Sequence, residues 1–162
     1  MSRSMIGRRW WTAAVLLGVG GGVAWRLVTH PALWSVTETG LSMTEDQSRH
    51  QFGAVVNFVL IGAIVAVLFG FALGVTRTDV GWRLVPSVAG MMGFASVFAW
   101  SVGRAFGPSD PSAARHKPLG TRVPDVLTVD SVAPFLAWAV FGVAGLLVGT
   151  WLRDRRPASD RR

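Results

Sequence analysis

The sequence predicts an all-α integral membrane protein, a bundle of four transmembrane helices with both termini in the cytoplasm. Three observations predict it. Four long stretches carry almost no charge, arginine collects at their edges, and tryptophan marks the same edges. Of the 162 residues, 51% are hydrophobic and only 15% charged, a mix that disfavours an ordinary soluble domain. Lys plus Arg number 16 against 9 Asp plus Glu. Because that excess sits between apolar stretches rather than along the chain, it reads as membrane orientation and not as nucleic-acid binding.

A hydrocarbon core about 30 Å thick takes roughly 20 helical residues, and residues 10–29, 52–75, 84–103 and 132–152 meet that length. The first span opens on Trp10 and Trp11 behind Arg8 and Arg9 and carries Gly18 and Gly22 one turn apart. Ahead of the second, Ser42 and Glu45 fit a capping box, so that helix is expected to start near Met43 and to stand about two turns above the bilayer. Small residues then recur every four positions, at Gly62, Ala66, Gly70 and Gly74, and cut a groove down one side. The third span follows Trp82 and Arg83, tolerates Pro86 near its start and repeats the small spacing at Ala95, Ala99 and Gly103. The fourth has Pro134 near its start, carries Gly145 and Gly149, and ends on Trp151 before a basic tail, residues 153–162. Glycine this dense would weaken a soluble helix, but in lipid the backbone has no water to bond with and stays helical. Trp10, Trp11, Trp82 and Trp151 fall at one proposed boundary and Trp25, Trp34 and Trp100 near the other, since indole rings prefer the interface. The competing reading is a soluble bundle of buried helices, which spans of this length disfavour.

Orientation follows from the loops. With both termini inside, ten Lys and Arg lie in the cytoplasm and five outside, Arg26 within the first span being left out. Arg104, Arg115, Lys117 and Arg122 of the third loop pull toward the inverse topology, but a long loop translocates tolerantly. Residues 1–24 also have the pattern of a secretory signal, against which Trp25 and Arg26 follow at once and the span runs on to Thr29. With no cysteine, neither a lipoprotein anchor nor a disulfide is expected. The chain is thus read as one membrane domain, residues 1–162, with outer loops at 30–51 and 104–131. The longer loop holds Pro108, Pro111, Pro118 and Pro124, shows no sustained period and is expected to be extended or partly ordered. Its short apolar run, residues 123–129, is expected to lie on the bundle or against a partner.

A pump or ion-coupled transporter needs ionisable groups within the membrane, and the spans hold almost none. Arg26 lies about one turn from an end and is expected to snorkel outward. Asn57 is the one strongly polar side chain well inside a span, and it fits interhelical hydrogen bonding better than ligand binding. On the outer side Asp46, His50, Gly53 and Asn57 follow one helical stripe, Glu45 faces Arg49, and His30 falls on the same side. His30, Glu45, Asp46, Arg49, His50 and Asn57 therefore form the candidate polar site. Its sharp reading is a metal or general-base centre; its plain reading, favoured because no compact ligand motif occurs, is intrahelical ion pairing on a wet surface. The sequence also lacks Gly-rich phosphate loops, a nucleophile elbow with a matching His and acid, and any nucleic-acid module. No catalytic residue, cofactor or resident metal is expected.

The acidic stretch around Glu45 and Asp46, Gly81-Trp82 before the third span, Gly107-Pro108-Ser109-Asp110-Pro111 after it and the terminal Arg153-Asp154-Arg155-Arg156-Pro157 carry a likeness. In these the chain resembles an actinobacterial family of small four-span membrane proteins catalogued as a domain of unknown function. Fifteen Arg against one Lys, no Tyr, and abundant Gly and Val are compatible with a GC-rich genome. The resemblance covers nearly the whole chain, brings no catalytic residue and implies an inner-membrane, envelope-associated setting. The leading expectation is a multi-pass accessory or scaffold protein of the cytoplasmic membrane. Its small-residue faces would pack against one another, a second copy or a partner membrane protein in envelope assembly or transport. The lipid bilayer is the other partner, and no nucleic acid is expected. The alternative is a small membrane enzyme, or a ligand- or metal-binding protein, using the outer acid and histidine cluster.

Overall fold

The computed structural model describes residues 7–29, 33–37, 40–42, 45–77, 81–108, 121–124, 129 and 131–155, of which residues 33–37, 40–42, 45–51 and 122–124 are described by backbone alone. Four helices dominate: α1 (Arg8–Val28), α2 (Glu45–Thr76), α3 (Leu84–Ala105) and α4 (Ala133–Asp154). All four are long and apolar enough to cross a membrane, with Phe52–Thr76 as the apolar part of α2. The all-α bundle of four spans is therefore what the chain forms. The 32 residues of α2 make a rod about 48 Å long, so residues 45–51 carry it about 10 Å beyond its apolar part. Pro134 stands in the first turn of α4, where no amide is missed.

Chain neighbours run antiparallel. Trp10 packs on Phe69 while Trp25 reaches Ala54, and Trp100 packs on Phe135 while Met92 lies against Gly142. It follows that α1 and α3 point the same way, as do α2 and α4, and that both ends of the described chain leave at one end of the bundle. The order around the bundle is α1, α3, α4, α2.

The two parallel pairs are also the closest ones, because small residues let their backbones touch. Gly18 lies on Ala95, where a Cβ would come 2.5 Å from the Ala95 carbonyl oxygen, and Gly22 lies on Ala99 one turn later. In the other pair Gly145 lies on the Val67 backbone and Gly149 on Phe71, while Gly70 meets Gly142 and Gly74 meets Leu146. Parallel packing brings like ends of two helix dipoles together, which is unfavourable unless a charge answers them. Each pair supplies that charge from an arginine in a last turn. Arg26 of α1 donates from Nε to the Phe106 carbonyl, just past α3, at 3.0 Å. Arg153 of α4 donates from Nη1 to the carbonyls of Arg77 and, at 3.4 Å, Gly74 at the end of α2.

Inside the ring sit Trp25, Phe58, Leu73, Val88, Met91, Met92, Trp138 and Leu146, all without solvent exposure or nearly so. Leu16, Leu27, Leu60, Ile64, Phe94, Val140 and Leu147 face outward, as apolar side chains do on a lipid-facing surface. Ser96 is fully buried, and its hydroxyl donates to the Gly93 carbonyl of its own helix at 2.7 Å.

The loops at the far end add what the sequence did not reveal. Strands β1 (Leu33–Thr37), β2 (Gly40–Ser42) and β3 (Arg122–Pro124) form an antiparallel sheet in the order β2-β1-β3. Ser35 is opposite Ser42 in one pairing and Arg122 in the other. The third loop, expected to be extended or partly ordered, thus holds a short strand at residues 122–124. A three-residue strand beside proline is too short to show a period, and its partner lies in the other loop. Val129, at the end of the apolar run, is 8% exposed and belongs to the bundle core.

Candidate functional site

Polar chemistry in the bundle collects at its two ends. At the sheet end α1 closes on Trp25, Arg26 and Thr29, opposite the first apolar turns of α2. The Trp25 indole N–H donates to the Ala54 carbonyl at 2.8 Å, and Gly103 of α3 leaves room for the ring. Thr29 is 3% exposed, and its hydroxyl accepts from the Asn57 Nδ2 amide at 3.4 Å. Asn57 therefore ties α2 to the residue just beyond α1, across helices. Below this pair the rings close up. Trp25 meets Phe58 edge to face at 5.2 Å, and Phe58 lies 5.5 Å from both Phe135 and Trp138. Trp138 crosses the bundle from Gly62, against its Nε1, to Gly21, where a Cβ would stand 2.9 Å from its far edge. Its N–H and that of Trp100 are buried without a hydrogen-bond partner among the described residues.

The expected interface role of Trp25 is corrected here, because the ring is turned wholly into the core. Arg26 leaves the bundle as expected of a snorkelling side chain, but ends on a carbonyl. Of the predicted polar site, Asn57 is placed. Glu45, Asp46, Arg49 and His50 belong to the unbroken helix α2, with their side chains outside the described residues, and His30 lies outside them altogether. Among the described residues no three His, Asp or Glu come together, but every histidine side chain lies outside that set. Gly18, Gly22, Gly62, Gly70, Gly74, Gly103, Gly145 and Gly149 all touch another helix of the same bundle, and Ala66, Ala95 and Ala99 are buried there. Sequence reasoning passed over Trp138, whose signal was a tryptophan more than a turn inside a span, too deep for the interface. It also passed over Thr29 as a partner for Asn57.

At the other end arginine dominates. Arg8, Arg9, Arg83 and Arg155 are exposed, and Arg77 and Arg153 are half-buried where α2 and α4 finish together. The Arg155 guanidinium lies 3.7 Å from the centre of the Trp151 ring, and that of Arg83 5.5 Å from Trp82. Arg153 pairs with Asp154 at 3.1 Å, and the Arg77 Nε is buried without a partner among the described residues.

Comparison of the chain with family models, with curated proteins and with solved structures gives no match.

Proposed function

We propose that this four-span protein is an accessory or scaffold protein of the cytoplasmic membrane, with both termini in the cytoplasm. It holds a small extramembrane platform in a fixed place for a partner membrane protein of envelope assembly or transport. The observation that carries this reading is the β1 to β3 pairing, which joins segments far apart in sequence into one sheet above the bundle. Pairing strands from two separate loops costs conformational entropy, and a fixed surface is what a docking partner needs in return. Support for the rigid base comes from the small-residue faces, which are spent on contacts inside the bundle. That leaves the sheet and the projecting start of α2 as the surfaces for recognition. The orientation rests on the arginines gathered at the end away from the sheet. The resemblance to actinobacterial four-span proteins of the envelope agrees with this setting.

The test is extraction from the native membrane in a mild detergent, with mass spectrometry of what co-purifies. A stoichiometric membrane partner is expected with the unaltered chain. Ser35→Pro removes an amide from the central strand of the sheet and is expected to release that partner while the helical content stays. No partner at all, or a partner indifferent to Ser35→Pro, would falsify the reading.

A further inference from the structure

We propose that the arginine end is a binding surface for the phosphate headgroups of anionic phospholipid, seated where α4 finishes between α2 and α3. Among the described residues this end carries Arg8, Arg9, Arg77, Arg83, Arg153 and Arg155, against the carboxylate of Asp154. That carboxylate is engaged: its Oδ1 accepts from Arg153 Nε at 3.3 Å and Nη2 at 3.1 Å. The other five guanidiniums meet no carboxylate among the described residues. Such a concentration of one sign is costly unless an anion answers it.

Depth and geometry identify the anion. Trp82 and Trp151 are 77% and 53% exposed, and indoles so placed at the ends of membrane spans sit at headgroup level. Each carries a guanidinium on its ring, Arg83 on Trp82 and Arg155 on Trp151, so two cations are held at the depth of the lipid phosphates. A stacked guanidinium keeps its N–H edge free, and that edge matches two oxygens of a phosphate. Arg77 adds a third group on the α2 side, with a buried Nε that lacks an acceptor among the described residues and its own carbonyl occupied by Arg153. The opposite end has no such surplus in its described side chains. There Arg26 is committed to the Phe106 carbonyl, which leaves Arg104, over the half-buried Trp100, as a single stacked guanidinium against the two at the arginine end. A lipid supplies negative charge at the right depth, whereas a soluble phosphate supplies charge alone. The proposal stands apart from the docking role, since it needs neither the sheet nor a protein partner.

The experiment uses the full chain purified in a neutral detergent and titrated with phosphatidylglycerol or with phosphatidylcholine of the same acyl chains, bound lipid being counted by native mass spectrometry. Phosphatidylglycerol is expected to be retained about tenfold better or more. The double variant Arg83→Gln/Arg155→Gln, altered at two exposed positions that pack on indole faces, is expected to lose about tenfold of that preference. Arg8→Gln/Arg9→Gln lies on α1, diagonal to α4, and is expected to keep most of it. An excess of inorganic phosphate is expected to leave the lipid bound. Equal retention of the two lipids, an unchanged Arg83→Gln/Arg155→Gln protein, equal loss in the α1 variant, or displacement by inorganic phosphate each overturns the proposal.

Discussion

Trp25 and Trp138 are the two largest side chains buried without exposure, and they differ in the fate of one hydrogen. The Trp25 N–H is bonded to Ala54, whereas the Trp138 N–H has no partner among the described residues. Replacing either by Phe removes a similar volume, but only Trp25→Phe breaks a satisfied bond. Trp138→Phe takes away a donor whose burial was already unfavourable. We expect Trp25→Phe to destabilise the protein by about 1–2 kcal/mol more than Trp138→Phe, measured as unfolding in mixed micelles. Equal losses, or the reverse order, would contradict this assignment of the two indoles. The sequence could not separate them. A tryptophan four residues from the end of a span satisfies the interface pattern whether it turns toward headgroups or inward, and what turns Trp25 inward is the missing side chain of Gly103 on another helix. Asn57 was legible as interhelical glue because a lone amide in lipid must find a partner, but nothing in the spacing pointed to Thr29.

The helices themselves were readable from length and apolarity, and their observed limits fall within about two residues of those expected. The small-residue spacing was readable too, but not its use, since the same pattern serves an internal helix, a second copy or another protein. In the fold each groove is filled by a parallel neighbour, and the glycines divide accordingly. Gly145 lies on the Val67 backbone, while Gly20 has nothing within 4 Å of where a Cβ would stand. Gly145→Leu is expected to cost roughly 2–3 kcal/mol or more, because backbone cannot step aside as a side chain can, whereas Gly20→Leu is expected to leave stability unchanged. A comparison of melting temperatures in detergent decides it, and two harmless substitutions would mean that α2 and α4 are not in contact. The sheet is the element that local reading could not reach. Its central strand finds one partner a few residues on in sequence and the other in a distant proline-rich loop, so no short window of the sequence contains the pairing.

At the scale of the whole molecule, the bundle has a sheet end and an arginine end, and the absence of cysteine from the chain makes the two separable by labelling. With Ser42→Cys in β2 and Gly81→Cys before α3, a membrane-impermeant maleimide on intact cells is expected to modify residue 42 and spare residue 81. The opposite pattern would invert the topology. The strongest contacts join α1 to α3 and α2 to α4, so they run between the two hairpins rather than within either. This bears on the order of events at the ribosome. When α1 and α2 enter the membrane, the partners that fill their glycine faces have yet to be made, and roughly 5–15 s of further synthesis separates α2 from α4 at ordinary elongation rates. Until then the first hairpin stands in lipid with its backbone grooves open. It is a nascent form that a chaperone or a second copy could engage, and one that the finished protein no longer displays.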